Sequence, residues 1–348
     1  MKASVSKERI KHFTKFTAVV TFIIILWIFH VYTINIGRSN QMMQNISIAE
    51  REEIKILDTI KAYTCLLGLI LASLGIFFNI LSFKTAHFLG KYNSSIVFIK
   101  LLAVWDSVAV FQDGVINLGG RYFGIDLTVF ALVCRINHFH GWGSSYTANF
   151  HLVALVIDRF IALKFPVYYR VRCKPRYAHL ASLLIMTTCY SLSSPAIYFF
   201  SLKNGICSMT GNAFFFEWYL QFLSYFIYSS LPFSLIFIFN LYFIYYLSTM
   251  RKVSSTSERD FQNRCMALML VTVSISFLTF TISCAVLVIW YFNFEHRRPR
   301  DYALSSLIEV ALEIPAIFNS SLNFIFFYLS GKGYRVAAGK MLSSLVSK

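Results

Sequence analysis

The sequence contains few charged residues and few of the residues that interrupt regular structure. Only 14% of its 348 residues are Asp, Glu, Lys or Arg, whereas 57% are hydrophobic. The mean hydropathy is +0.61. A soluble globular domain does not carry this much apolar surface, so the composition favours a membrane protein. Six prolines and 15 glycines leave no room for a long flexible linker, and no soluble domain is expected between the hydrophobic runs.

The motifs of common catalytic and metal sites are also missing. There is no His-Glu-x-x-His, no Gly-x-Ser-x-Gly, no phosphate-binding loop and no Cys-x-x-Cys. His138 and His140 lie two residues apart, so on a helix they face different directions and make a poor metal pair. Glu309 and Glu313, one turn apart, are the only arrangement that suggests an intramembrane acid–base pair. We therefore expect no enzymatic activity and no cofactor, apart from the sodium ion discussed below.

Acidic residues are scarce: 16 stand against 32 Lys and Arg, which gives a net charge of +16. The basic residues recur in short clusters between hydrophobic runs, as the positive-inside rule requires, so nucleic acid is not an expected partner. Loops on the expected inner side carry 17 basic and two acidic residues, and those outside carry ten and nine. Seven spans can be delimited, at about 63–89, 95–118, 131–163, 177–200, 218–247, 264–291 and 303–329.

An additional apolar run precedes these spans. Residues 1–15 are basic and are followed by an apolar stretch to Ile36, which predicts either a signal peptide or an uncleaved signal anchor. Residues 37–62 are then an extracellular segment, in which Asn45 begins a glycosylation sequon. Residues 63–329 form the helical bundle, and residues 330–348 are expected to be a short amphipathic cytoplasmic tail.

The stretch from Cys134 to Pro166 identifies a family. It crosses a bilayer and ends in Asp158-Arg159-Phe160, an ion pair that must lie at the interface or face the protein interior. It resembles the third helix of a rhodopsin-class (class A) G-protein-coupled receptor, which carries an Asp/Glu-Arg-Tyr triplet there. Residues 75–79, 102–106 and 319–323 are similar to the family's Gly-Asn, Leu-Ala-x-x-Asp and Asn-Ser-x-x-Asn signatures.

The end of the last span resembles one subfamily of these receptors in particular. Its Asn-Ser-Ser-Leu-Asn-Phe segment, followed by Gly331-Lys332-Gly333-Tyr334-Arg335, looks like invertebrate FMRFamide-type neuropeptide receptors. The resemblance covers residue 63 to about residue 340. Departures also occur, because the sixth span has no proline and the family's tryptophan, tyrosine, proline and tyrosine are replaced by Ile185, Asn240, Phe324 and Phe327.

The resemblance implies roles for several groups of residues. Cys134 and Cys207 would form a disulfide on the outer side, where they are the only two cysteines expected. Inner-face coupling to a heterotrimeric G protein would use Asp158, Arg159 and Phe160, with Asp158 holding the Arg159 guanidinium at rest. A polar core with a possible sodium site near Asp106 would be formed by Asn79, Asp106, Asn319 and Asn323. For Asn79, a simple helix–helix hydrogen bond is an equal alternative.

The residues expected at the outer end of the helical bundle indicate the class of ligand. Gly141 stands where amine receptors have an aspartate, and Ile317 where opsins have the retinal lysine, so both ligands are disfavoured. Carboxylates expected at the mouth are Asp113, Glu309 and Glu313, with aromatic walls from Trp142 and Tyr146. Unpaired acids in such a pocket favour the Arg or amine group of a peptide. The alternative is that Arg121, Arg135 or the arginines at 297, 298 and 300 neutralise them.

These observations predict an all-α, multi-pass protein of the plasma membrane with a seven-helix bundle. The expected function is reception of an extracellular neuropeptide and transfer of the signal to a heterotrimeric G protein. Two alternatives stay open: a chemosensory receptor of the same superfamily, and a small secondary transporter. The transporter predicts an internal repeat with matching broken helices, and no such repeat is visible.

Overall fold

The structure is a computed structural model that describes residues 47–89, 93–125, 127–203, 206–209, 218–219, 222–250, 277, 299–330 and 332–346. Six helices of this part are long and apolar enough to cross a membrane: Ile48–His87, Ser94–Tyr122, Ala131–Lys164, Pro175–Phe199, Phe226–Phe243 and Pro299–Ser321. The predicted sixth span, the apolar run before residue 37 and Asn45 lie outside the described residues, Phe277 excepted. The described residues form an all-α bundle with these six membrane-spanning helices.

Helix α1, Ile48–His87, starts much earlier than the sequence predicts. It has 40 residues and begins where the Ser47 side chain accepts a hydrogen bond from the Glu50 backbone N–H. Its length of about 60 Å is twice the thickness of a bilayer core, so its outer turns stand beyond the membrane. Residues 48–62 are therefore helical, and the domain boundary at residue 63 stays a prediction. Hydropathy marks only where α1 becomes apolar, whereas charged pairs such as Lys55–Glu52 extend the helix outward.

Helix α2 spans Ser94–Val110 and starts at Asn93, whose side chain accepts from the Ile96 N–H. It continues without interruption as a π-helix over Phe111–Gly119 and a final turn over Gly120–Tyr122. A π-helical segment is wider than an α-helix and is often found at functional sites. Because Asp113 lies within it, the direction of this side chain does not follow the α-helical spacing.

Proline marks the starts of the next elements, as expected for the first position of a helix. After α3, Ala131–Lys164, come α4, Pro166–Arg172, on the inner side, and α5, Pro175–Ser193, which returns to the outer side. The short helix α6, Pro195–Phe199, extends α5 and leads into the outer loop.

An antiparallel hairpin covers the outer side of α3. Its strands are β1, Phe200–Lys203, and β2, Ile206–Met209, with Leu202 opposite Cys207. A disulfide joins Cys207 to Cys134 in the first turn of α3, with their Cα atoms 5.6 Å apart, which confirms the predicted pair. The Arg135 Nε donates to the Phe200 carbonyl at 3.1 Å and fixes the hairpin further.

The remaining elements complete the bundle. A π-helix over Leu223–Ser230 leads into α7, Leu231–Met250, just before Pro232, which has no N–H for a regular helical bond. Helix α8, Pro299–Ser321, is followed after a break at Leu322 by α9, Asn323–Ser330. Helix α10, Lys332–Val346, then packs against the inner end of α1, where the Tyr334 hydroxyl donates to the Ser82 Oγ at 2.9 Å.

Small residues allow α1 to pack closely on α2 and α8. A Cβ atom on Gly75 would lie 2.0 Å from the Ser321 Oγ, and one on Gly114 would lie 2.1 Å from the Ala72 Cβ. The opposite face of α1 exposes a row of large apolar side chains, among them Leu67, Ile70, Leu74, Phe77 and Ile80. In a transmembrane helix this face contacts lipid, so its exposure costs nothing.

Candidate functional site

The outer end of the bundle holds a network of three charged side chains. The Arg121 Nη1 and Nη2 donate to the two carboxylate oxygens of Glu309 at 3.2 and 2.7 Å, which joins α2 to α8. The same guanidinium lies 4.0 Å from Glu313. Internal neutralisation by Arg121, one of the two alternatives from the sequence, is therefore present. The second carboxylate oxygen of Glu313 is nevertheless buried without a hydrogen-bond partner among the described residues.

Asp113 lies deeper in the bundle, eight residues before Arg121 along α2 and its π-helix. Its carboxylate makes no hydrogen bond or ion pair with a described residue. It lines a small cavity together with Ala109, Val110, Ser145, Asn149, Tyr228, Ala316, Ile317 and Ser320. The group of four side chains formed by Arg121, Asp113, Glu309 and Glu313 thus has three carboxylates and one guanidinium.

The two aromatic residues predicted to line the ligand pocket, Trp142 and Tyr146, do not line the cavity around Asp113. Trp142 packs edge-on against Phe200 of the hairpin with ring centroids 5.6 Å apart. Tyr146 is buried, with its ring 5.9 Å from that of Tyr228. Neither residue lines the cavity around Asp113, although Tyr228 does. Both aromatic residues therefore pack α3 against its neighbours, and the structure does not bring them to the carboxylates.

The predicted polar core is assembled around Asp106. Its carboxylate accepts a hydrogen bond from the Asn323 Nδ2 at 2.7 Å and lies beside the Ser320 hydroxyl. The Asn79 Nδ2 donates to the Ser320 carbonyl at 3.0 Å, which is the helix–helix bond weighed from the sequence. Asn319 is half-buried and forms no side-chain hydrogen bond within the described part of the chain.

A sodium ion does not fit these contacts well. A hard cation needs several oxygen ligands, and one of the two Asp106 carboxylate oxygens already accepts an amide N–H from Asn323. Within the described residues there is also no group of three or more His, Cys, Asp or Glu that can hold a metal ion. Hydrogen bonds of the polar core join α1, α2 and the α8–α9 junction, and the Asn79 Oδ1 and Ser321 Oγ are buried without a hydrogen-bond partner among the described residues.

The inner end differs from the prediction at Asp158. Its carboxylate is hydrogen-bonded to the hydroxyls of Ser94, at 2.6 Å, of Ser95, and of Tyr169, at 3.2 Å. The expected ion pair with Arg159 is not formed, and no described residue forms a hydrogen bond with the buried Arg159 Nε. The pairing prediction is thus wrong, because three hydroxyl donors satisfy the carboxylate oxygens.

Sequence reasoning missed these three hydroxyls. Ser94 and Ser95 look like ordinary residues of a helix start, and Tyr169 looks like an interface anchor in a basic loop. Burial and the neighbouring charge of Asp158 raise the pKa of Tyr169, so its hydroxyl stays protonated and remains a donor. Their position in the sequence could have predicted this contact, because both serines begin a span that enters the membrane from the inner side, where the Asp-Arg-Phe triplet also lies.

Phe160, the aromatic member of the triplet, contacts α7. Its ring lies 4.8 Å from that of Tyr242 and 4.9 Å from that of Phe239. The Lys164 ammonium lies 5.0 Å from the Tyr242 ring and 5.5 Å from the Phe160 ring, within range of cation–π attraction. These contacts join the inner ends of α3 and α7.

Helix α4 presents an apolar inner surface. Val167 is 77% exposed, Val171 60% and Tyr168 56%, on a seven-residue helix that also carries Arg170 and Arg172. Its position between two membrane-spanning helices places this surface at the inner interface. An exposed apolar group of this kind, rimmed by basic residues, is typical of an interaction surface.

The sequence matches the family described as 7 transmembrane receptor (rhodopsin family) over residues 97–325, about two thirds of the chain. No curated protein matches it. The matched range runs from α2 to α9, so it includes the triplet on α3, the disulfide and, of the polar core, Asp106, Asn319 and Asn323.

Proposed function

The chain belongs to the rhodopsin family of seven-transmembrane receptors, and we propose that it receives a neuropeptide with a cationic group. The family consists of signalling receptors, not enzymes, and places the chain in the plasma membrane as a multi-pass protein. The proposal adds a ligand class, an arginine- or amine-bearing peptide of FMRFamide type, and a partner, a heterotrimeric G protein.

The observation that carries the ligand class is the charge of the side chains around Arg121. Three carboxylates, Asp113, Glu309 and Glu313, stand against the single guanidinium of Arg121. Excess negative charge in a partly buried site is unfavourable unless a cation compensates it. A peptide guanidinium or amine meets this need through charge-assisted hydrogen bonds. The Glu313 oxygen without a hydrogen-bond partner is the acceptor best placed at the mouth, and we assign the ligand cation to it.

Support for the G-protein partner comes from the inner face. The apolar side chains of α4 and the basic residues around them form a surface that an acidic, partly apolar partner would cover. Arg159 lies one residue from Asp158 and is not held by it. Opening of the inner face would therefore release Arg159 without first breaking an ion pair with Asp158.

A peptide screen tests this function. Cells that express the chain and report calcium and cyclic AMP are exposed to amidated peptides with and without arginine. We expect an arginine-containing peptide to give a response, and replacement of its arginine by glutamine to raise the half-maximal concentration at least about tenfold, equal to about 1.4 kcal/mol.

The receptor variant Glu313→Gln tests the assigned contact. The potency of the arginine peptide should be lower on this variant than on the parent by a similar factor. The potency of the glutamine peptide should be nearly the same on the variant and on the parent, since the receptor change and the peptide change remove the same interaction. Glu52→Gln, in an exposed pair on α1, is the matched control and should leave potency unchanged. Equal potency of arginine and glutamine peptides would overturn the cationic ligand while leaving the family assignment intact.

A further inference from the structure

The guanidinium of Arg121 is a cation that the receptor itself supplies to the carboxylates at its outer end. Both carboxylate oxygens of Glu309 accept hydrogen bonds from its two terminal nitrogens, and one oxygen of Glu313 lies 4.0 Å from its Nη2. Glu309 and Glu313 stand one turn apart on α8, a spacing at which one guanidinium can reach both carboxylates. A side chain of the receptor therefore already makes the contacts that a ligand guanidinium would make.

The backbone around Arg121 holds it at the outer end of α2, in the final turn Gly120–Tyr122. The Gly120 carbonyl accepts a hydrogen bond from the Ile125 N–H at 2.7 Å, and the Arg121 carbonyl accepts one from the Gly124 N–H at 3.3 Å. Gly124 has a φ of 67°, a left-handed conformation that favours glycine. This turn keeps Arg121 next to α8 before any ligand arrives.

Arg121 uses the two carboxylates unequally. The Glu309 side chain is 45% exposed and has both oxygens bound by the guanidinium. The Glu313 side chain is 19% exposed, and its second oxygen is buried without a hydrogen-bond partner among the described residues. Because α8 begins on the outer side, Glu309 stands one turn outward of Glu313. Pairing with Glu309 therefore holds the guanidinium away from the more buried carboxylate.

We propose that Arg121 is an internal competitor of the ligand cation, and that Glu309 limits this competition by holding the guanidinium away from Glu313. The inference rests on the proposed function and names a regulation of its binding site. Two cations near one carboxylate repel each other, so a ligand cation binds Glu313 more weakly the closer the Arg121 guanidinium lies. The bridge between α2 and α8 thus sets the affinity of the site for a cation.

The two members of this one ion pair should consequently act in opposite directions. Arg121→Gln removes the competitor and frees Glu309, so a ligand cation should bind more tightly. Glu309→Gln removes the partner and lets the Arg121 guanidinium move to Glu313, 4.0 Å away, so a ligand cation should bind more weakly. A bridge that only joined α2 to α8 would change binding in the same direction in both variants, since each variant loses the same contact.

The test is thermal unfolding of the purified full-length receptor in detergent, titrated with N-acetyl-argininamide, whose guanidinium is its only charge. Neutral N-acetyl-glutaminamide is the control probe. Each variant is compared with itself in the absence of probe, so that stability lost with the bridge does not enter the comparison. We expect N-acetyl-argininamide to raise the melting temperature of Arg121→Gln by roughly 2–5 °C near saturation.

The concentration of N-acetyl-argininamide that gives half of the shift measures the competition. It should be at least about tenfold lower in Arg121→Gln than in the parent, and several-fold higher in Glu309→Gln. The double variant should bind the probe at least as well as the parent, because Glu309→Gln weakens binding only through Arg121. Arg300→Gln is the matched control, since it breaks another arginine–glutamate pair between helices, with Glu53 on α1, and should leave the concentration unchanged.

The inference is overturned if Arg121→Gln and the parent need equal concentrations of N-acetyl-argininamide, or if neither prefers it over N-acetyl-glutaminamide. Changes of the same sign in Arg121→Gln and Glu309→Gln would also overturn it. If Arg121→Gln fails to fold, an unchanged or lower concentration in Glu309→Gln contradicts the competition by itself. The proposed function is judged separately, because equal potency of arginine and glutamine peptides in cells overturns it whatever Arg121→Gln does to probe binding.

Discussion

At the scale of single residues, the hydrogen bonds of Asp158 define the resting inner face. Hydroxyls from α2 and α4 hold the carboxylate, so Asp158 ties three elements together where an ion pair with Arg159 would tie only neighbours in the chain. The pair was predicted from the family resemblance, which implies that Asp158 holds the neighbouring Arg159 guanidinium. It fails because the attraction is local, whereas the serines and the tyrosine reach Asp158 only in the folded bundle.

The contribution of Tyr169 can be measured directly. Tyr169→Phe removes one hydrogen bond to a charged group, which costs about 1.5–3 kcal/mol when buried, and loosens α4 from α3. We expect ligand-independent signalling to rise several-fold at equal surface expression. Tyr168→Phe is the control. The Tyr168 side chain is 56% exposed, so this change should not alter signalling. Equal basal signalling in the two variants would show that the Asp158 cluster does not restrain the inner face.

At the scale of elements, the sequence predicts where the helices occur better than it predicts where they end and where they become π-helical. All described spans occur where apolar runs predict them, because lipid requires continuous helices. The outer extension of α1 and the two π-helices were not predictable, since charged turns and changes of helical width leave no mark in hydropathy. These unpredicted features matter most, because Asp113 lies in one of them.

A second element-level example concerns the tryptophan expected on α5. Ile185 occupies that place, and the described aromatic contact between α2 and α5 is made by Trp105, which lies 5.9 Å from the ring of Tyr190. Tyr190 also packs against Gly143 of α3 and forms a hydrogen bond with the His140 Nδ1 at 2.9 Å. These contacts join α2, α3 and α5, and the family pattern at residue 185 does not predict them.

The contact of α1 with α8 gives a stability prediction. Gly75→Ala places a methyl group 2.0 Å from the Ser321 Oγ and should destabilise the receptor by about 1–3 kcal/mol through overpacking. A lower melting temperature of the purified receptor measures it, and Ser321→Gly should restore part of the loss. Gly339→Ala on α10 is the control, because its Cβ meets no atom within 4 Å. Equal melting temperatures for the two alanine variants would mean that α1 and α8 are not closely packed there.

At the scale of the whole molecule, a disulfide and ion pairs between helices, such as Arg121–Glu309 and Arg300–Glu53, connect elements of the described outer face. The Cys134–Cys207 bond fixes the hairpin on α3, and Arg121 joins α2 to α8. The disulfide was predicted correctly from the family resemblance, because the pairing needs only position along the chain. The choice of Arg121 among five candidate arginines was not predictable, since it depends on which helices are neighbours.

The disulfide should support folding as a unit. Cys134→Ala and Cys207→Ala should each lower surface expression and cost about 2–4 kcal/mol of stability, and the double variant should be no worse than either. Cys173→Ala, which removes a free cysteine in the inner loop, serves as the control and should express normally. Additive losses in the double variant would show that the two cysteines act separately.

The central claim is that this receptor signals through Arg159 on its inner face. The most direct measurement compares basal G-protein activation of Tyr169→Phe with that of the double variant that adds Arg159→Ala, at matched surface expression. We predict that Arg159→Ala returns the raised signal to that of cells without receptor, whereas adding Arg170→Ala, an exposed charge on α4, leaves most of it. A double variant that signals as strongly as Tyr169→Phe alone would contradict the mechanism.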